Sequence, residues 1–169
     1  MLALERLFQS DKERFIMILN NKVIKLLTGS GTSLLSICIL LLRLTLGGIL
    51  FMAGSGKVLG WFGGFGITAT LGFYAKSGIS VPFAYLSCYT EFIGGFFLAI
   101  GLFTRPAAFA VMINMLVAFM VTLPNGFIMG GASYPFSFLI SSIIILLSGP
   151  LAYSIDYLIL KPGYAKNNL

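Results

Sequence analysis

Histidine does not occur once in the 169 residues. Its absence removes bis-histidine haem ligation, most zinc sites and the usual general base together. Charge is nearly as scarce. Only 9% of the residues are Asp, Glu, Lys or Arg, against about a quarter in a soluble globular domain. With 58% hydrophobic residues, the chain leaves the soluble class and joins the membrane proteins. Cysteine is limited to Cys38 and Cys88, far apart in sequence. Without a C-x-x-C pair, a thioredoxin-like or quinone-reducing dithiol centre is disfavoured. A cleaved signal peptide is not expected either, because a charged leader precedes the first apolar run at residue 34.

What is present is length without charge. Apolar runs at 34–54, 83–103, 106–122 and 134–150 approach or exceed the roughly 20 residues that cross a bilayer as helix. They predict an all-α membrane protein, a bundle of four transmembrane helices. The net charge of +6 is explained by its distribution. Four spans put both termini on one side with the loop at Arg105. That side collects Arg6, Lys12, Arg14, Lys22, Lys25, Arg105, Lys161 and Lys166, against Lys57 and Lys76 opposite. Eight against two places both termini in the cytoplasm. The charge therefore serves topology and lipid attraction, and no nucleic-acid partner is expected.

Three regions follow: an arm over 1–33, a membrane domain over 34–156 and a tail over 157–169. In the arm, Ser10 to Glu13 fits a capping box. Apolar residues at helical spacing after it, beside Lys12, Arg14, Lys22 and Lys25, predict an amphipathic helix on the anionic leaflet. Between spans one and two, 55-SGKVLGWFGGFGITATLGFYAKSGISVP-82 is too long for a turn and too aromatic for a solvated loop. Trp61, Phe62, Phe65, Phe73 and Tyr74 suit the membrane interface, and a short interfacial or re-entrant helix is expected near 66–76.

Each span carries one stripe of small or polar residues, the kind that lets membrane helices approach and hydrogen-bond. Ser36, Arg43, Gly47 and Gly54 share a face in span one; Ala84, Ser87, Glu91, Gly95 and Leu98 share one in span two. If each span starts at its membrane boundary, Arg43 and Glu91 reach nearly the same depth. A lone charge there costs at least about 2.5–3.5 kcal/mol. This predicts an Arg43–Glu91 ion pair, completed as a polar layer by Asn114 and Ser141. Lys57, Trp61 and Asn125 are expected at the outer mouth. No residue declares itself catalytic.

The stretches 41-LLRLTLGGILFMAGSGKVLGWFGG-64, 85-YLSCYTEFIGGFFLAIGLFTRPAA-108 and 124-PNGF-127 resemble the DoxX family of small four-helix membrane proteins, over roughly residues 34–156. The resemblance implies an inner-membrane protein that serves as an accessory subunit in quinone- or thiol/sulfur-linked redox processes. It implies quinone as a ligand, no covalently bound cofactor, and a redox partner protein. Family members often carry histidine where this chain has Ala53 and Thr122. The alternatives are a small-solute or proton-coupled transporter, assembled as a homo-oligomer, and a membrane scaffold without chemistry of its own.

Overall fold

The computed structural model describes residues 32–160, all helix, turn and loop without strand. The chain divides into two units, 1–35 and 36–169. The first lies outside the described residues except for the opening turn of one helix. The expected amphipathic arm and the end of the tail also fall outside them.

Helix α1 runs Thr32–Leu59, about 42 Å at 1.5 Å per residue, well over the roughly 30 Å hydrocarbon core. Ile39, Arg43, Leu46, Leu50 and Gly54 recur every three or four positions and are buried, so one stripe faces inward. Leu41 and Met52, on the other side, are exposed. The helix stops at Gly60, whose left-handed backbone (φ 74°) favours glycine. A 3-10 turn, Trp61–Gly63, leads into α2, Gly66–Lys76. This is where a short helix was expected.

The next apolar element is continuous over Val81–Ile100 but not uniform. Helix α3, Val81–Tyr89, passes through a π turn at Thr90–Gly94 into α4, Gly95–Ile100. Gly101 (φ 71°) ends it. Helix α5 spans Thr104–Thr122 and α6 spans Ser133–Ser148, the two packing along each other. A six-residue helix α7, Ile155–Leu160, follows.

Three of these elements are long and apolar enough to cross a membrane: Leu34–Leu59, Val81–Ile100 and Thr104–Asn125. Helix α6 has 16 residues, about 24 Å, and is apolar but short of the core thickness. The exposed surface confirms a lipid environment in its chemistry, with Phe83 67%, Met120 63% and Leu147 75% exposed. Such faces are too apolar for water.

The core is narrow. Leu46, Leu50, Leu98, Val111, Met115 and Ile145 belong to its central cluster. Beside it, α1 and α3–α4 touch backbone to backbone. A Cβ placed on Gly47 would overlap the Ala99 amide, and one on Gly54 would overlap the Phe92 amide. These glycines set an antiparallel register in which Gly54 is level with Glu91, and Arg43 with Leu98 and Gly101.

Candidate functional site

That register decides the fate of the two buried charges. Arg43 and Gly54 are 11 positions apart on one helix, so Arg43 lies about 16 Å along the axis from the level of Glu91. The expected Arg43–Glu91 pair does not form. The depth estimate took both spans to begin at a membrane boundary, whereas α1 overshoots the core and carries Arg43 towards one end of the bundle.

Glu91 pairs with Lys57 instead. The ammonium Nζ lies 2.7 and 2.6 Å from Glu91 Oε1 and Oε2 and donates more weakly to the Tyr74 hydroxyl at 3.4 Å. Tyr74 in turn shares a hydrogen bond of 3.3 Å with Ser87. The Glu91 side chain is 7% exposed and that of Lys57 32%, so the pair is buried on the carboxylate side and part-exposed on the lysine side. Each group has a structural reason for its place. Lys57 sits on α1 because that helix continues past residue 54. Tyr74 projects from α2, whose start is tied down by the Thr70 hydroxyl donating to Gly66 O. Ser87 and Glu91 are one helical turn apart, and Glu91 sits in the π turn, an irregularity often found at functional sites.

Beside Lys57 lies an open pocket of about 210 Å³. Trp61, Phe62 and Phe65 supply aromatic walls, and Gly56, Gly63 and Gly64 supply backbone. The left-handed residues Gly60, Phe62 and Gly63 turn the chain sharply enough to bring Trp61 over α1. Gly64 and Gly56 approach so closely that a Cβ on Gly64 would overlap the Gly56 backbone.

Lys57 and Trp61 both line this pocket, while Asn125 does not and is exposed on a 3-10 turn, Leu123–Asn125. Ser141 donates to Ser137 O within its own helix, so it joins no inter-helix layer. Asn114 keeps a buried Nδ2 without a partner. Ala53, where histidine was expected of relatives, lines the pocket. Thr122 bonds to Ala118 O and Phe119 O.

At the opposite end Arg43, 1% exposed, donates to Leu98 O at 3.2 Å and Tyr153 O at 3.4 Å. Next to it Asp156 accepts from the amides of Phe103 and Thr104 at 2.8 and 2.7 Å, capping α5 from outside the helix. Burial pushes the Asp156 carboxyl up, yet hydrogen bonds from Thr104 and Phe103, with the Arg43 charge, outweigh it and hold it below the usual carboxylate range. This end is a structural clasp.

Tyr74 and Asp156 are the partners that the sequence pattern does not reveal. In the sequence Tyr74 is one interfacial ring among several, and nothing in the sequence singles out Asp156. Ser87 and Glu91 were legible as a stripe.

The DoxX family model matches residues 38–124, just over half of the chain. The chain belongs to the DoxX family. Compared with the curated proteins and with the solved structures, it matches none. The DoxX match contains Arg43, Lys57, Trp61, Tyr74, Glu91 and Asn114, and ends before Asn125 and Ser141. Both the ion pair and the pocket thus lie wholly within the DoxX region.

Proposed function

We propose that this DoxX protein is an accessory subunit of a membrane redox system, and that the pocket at Lys57 receives the ring of a quinone. One observation carries the reading: a lysine, neutralised by Glu91 and steadied by Tyr74, forms with Thr70 the polar side of a pocket walled for the rest by aromatic rings, glycine backbone, Met52 and Ala53. Flat rings stack on Trp61 and Phe62, and glycines let a ring approach the main chain. The volume is below the roughly 300–1,000 Å³ of pockets that enclose drug-sized ligands. It suits a single ring whose isoprenoid tail stays in lipid.

These residues hold and orient the ring, with the Lys57 amine beside its carbonyl oxygen and Tyr74 behind the amine, outside the pocket lining. Bound quinone would supply the electron-carrying chemistry, exchanged with a partner protein. The setting we infer is a bacterial-type inner membrane with α6 as a fourth span, both termini cytoplasmic and α2 in the outer interface. A proton-coupled transporter built on an Arg43–Glu91 layer loses its premise, since the two charges lie at different levels.

Trp61 is the sole tryptophan, so its fluorescence reports on the pocket without labelling. Short-chain ubiquinone titrated into protein in nanodiscs should quench it saturably. The paired variant Lys57→Met/Glu91→Gln removes the polar side while conserving net charge, and should weaken binding on the order of tenfold, the effect of one hydrogen bond to a charged group. Quenching that rises linearly and equally in both proteins would reduce the interaction to partitioning into lipid.

A further inference from the structure

We propose that Glu91 sets the charge selectivity of the pocket, so that it admits neutral rings and rejects anionic ones. The inference rests on the pocket reading above. An isolated lysine beside an aromatic pocket attracts anions, and Lys57 is not isolated. Its ammonium has three N–H bonds, and its three contacts, two to Glu91 and one to Tyr74, use them. An anion arriving at Lys57 must displace the carboxylate or sit near it. Displacement leaves the buried carboxylate uncompensated, because Glu91 has no other ion-pair partner among the described residues, and sitting near it sets two negative charges against one cation.

The groups facing Glu91 from the packed elements do not relieve this. Lys57 comes from α1 and Tyr74 from α2, while Cys88 lies on its own element and Tyr134 on α6, both within reach of the pair's charges. Helix α5, packed on the π turn, adds no charged side chain at this level, only Asn114. Lys57 is therefore the one cation at Glu91 among the described residues. A neutral ring keeps the pair intact and needs only a share of the N–H that Lys57 spends on its long 3.4 Å contact to Tyr74. The same argument gives the converse. With glutamine in place of Glu91, the positive charge stands free and the pocket becomes an anion site.

Menadione and lawsone test this, because they are naphthoquinones of nearly one shape, the first neutral and the second ionised at neutral pH. In wild-type protein, Trp61 quenching should give menadione an affinity at least about tenfold above lawsone, since like charges brought together cost several kcal/mol. Glu91→Gln should reverse the order. Should that variant fail to fold, acidifying the wild type until lawsone is neutral should raise its affinity to that of menadione. Equal affinities in the wild type, an unchanged ratio in Glu91→Gln, or a lawsone affinity flat with pH would each overturn the proposal while menadione binding stands. Saturable binding of neither compound would overturn the pocket reading, and this inference with it.

Discussion

At the scale of single residues, two acidic groups do opposite jobs. Glu91 is buried and neutralises Lys57, while Asp156 caps α5 beside Arg43. Removing one partner of a buried pair costs about 3–5 kcal/mol because the other is left uncompensated. The part-exposed Lys57 places this pair at or below the lower end of that range. Lys57→Met and Glu91→Gln should each lower the melting temperature, and the double variant should recover part of the loss. Strict additivity in that cycle would mean that the two act independently. Asp156 invites a pH test. Its carboxyl is held below the usual range, so its stabilisation is present above the unfolded value of about 3.9 and is lost as pH falls through the lower folded value. Asp156→Asn should cost about 1 kcal/mol near neutrality, as caps do. Melting curves of the two proteins should converge as the medium is acidified below about pH 4. A gap that persists there would remove the carboxylate from the explanation.

At the scale of elements, glycine decides what charge alone did not. Gly47 and Gly54 bring the α1 backbone against α3–α4, and that contact fixes which side chains share a level. A side chain at Gly54 has backbone in its way, which cannot rotate aside as another side chain would. Gly54→Leu should therefore destabilise by at least about 3 kcal/mol, the upper end of ordinary overpacking. Gly48 is the control: next to Gly47 on the same helix but turned off the contact face, with nothing within 4 Å of an added Cβ. Gly48→Ala should be neutral or stabilising by up to about 1 kcal/mol. Equal yields of folded protein from the two variants would contradict the close approach. The small-residue stripes were legible in the sequence, because small side chains at helical spacing in an apolar run have few other uses. The register between them was not. Depth was counted from assumed boundaries, and a helix of 28 residues does not announce which 20 lie in lipid. The π turn at Glu91 was invisible for a similar reason, since one extra residue in a turn leaves no periodic mark in so short an element.

At the scale of the whole molecule, composition carried most of the fold. Absent histidine and scarce charge, set against long apolar runs, led directly to a helical membrane protein, and α1, α3–α4 and α5 bear that out by length. The candidate site was half legible: Glu91, Lys57 and Trp61 stood out as a buried acid, a helix-end cation and a lone indole. Their assembly depended on α2 folding back to deliver Tyr74, which no spacing along the chain encodes. For a four-span topology the basic residues, eight on one side and two on the other, predict cytoplasmic termini. A reporter active only in the periplasm, fused after Leu169, should stay silent, and activity there would invert the assignment of faces. The central claim is that a ring binds at Lys57, and covalent capture tests it most directly. A photoreactive azidoquinone, illuminated with the protein in nanodiscs and mapped by peptide mass, should label residues 52–70. An excess of unmodified quinone should suppress that labelling. Labelling spread over the lipid-facing surfaces of α5 and α6, unaffected by competitor, would contradict the account.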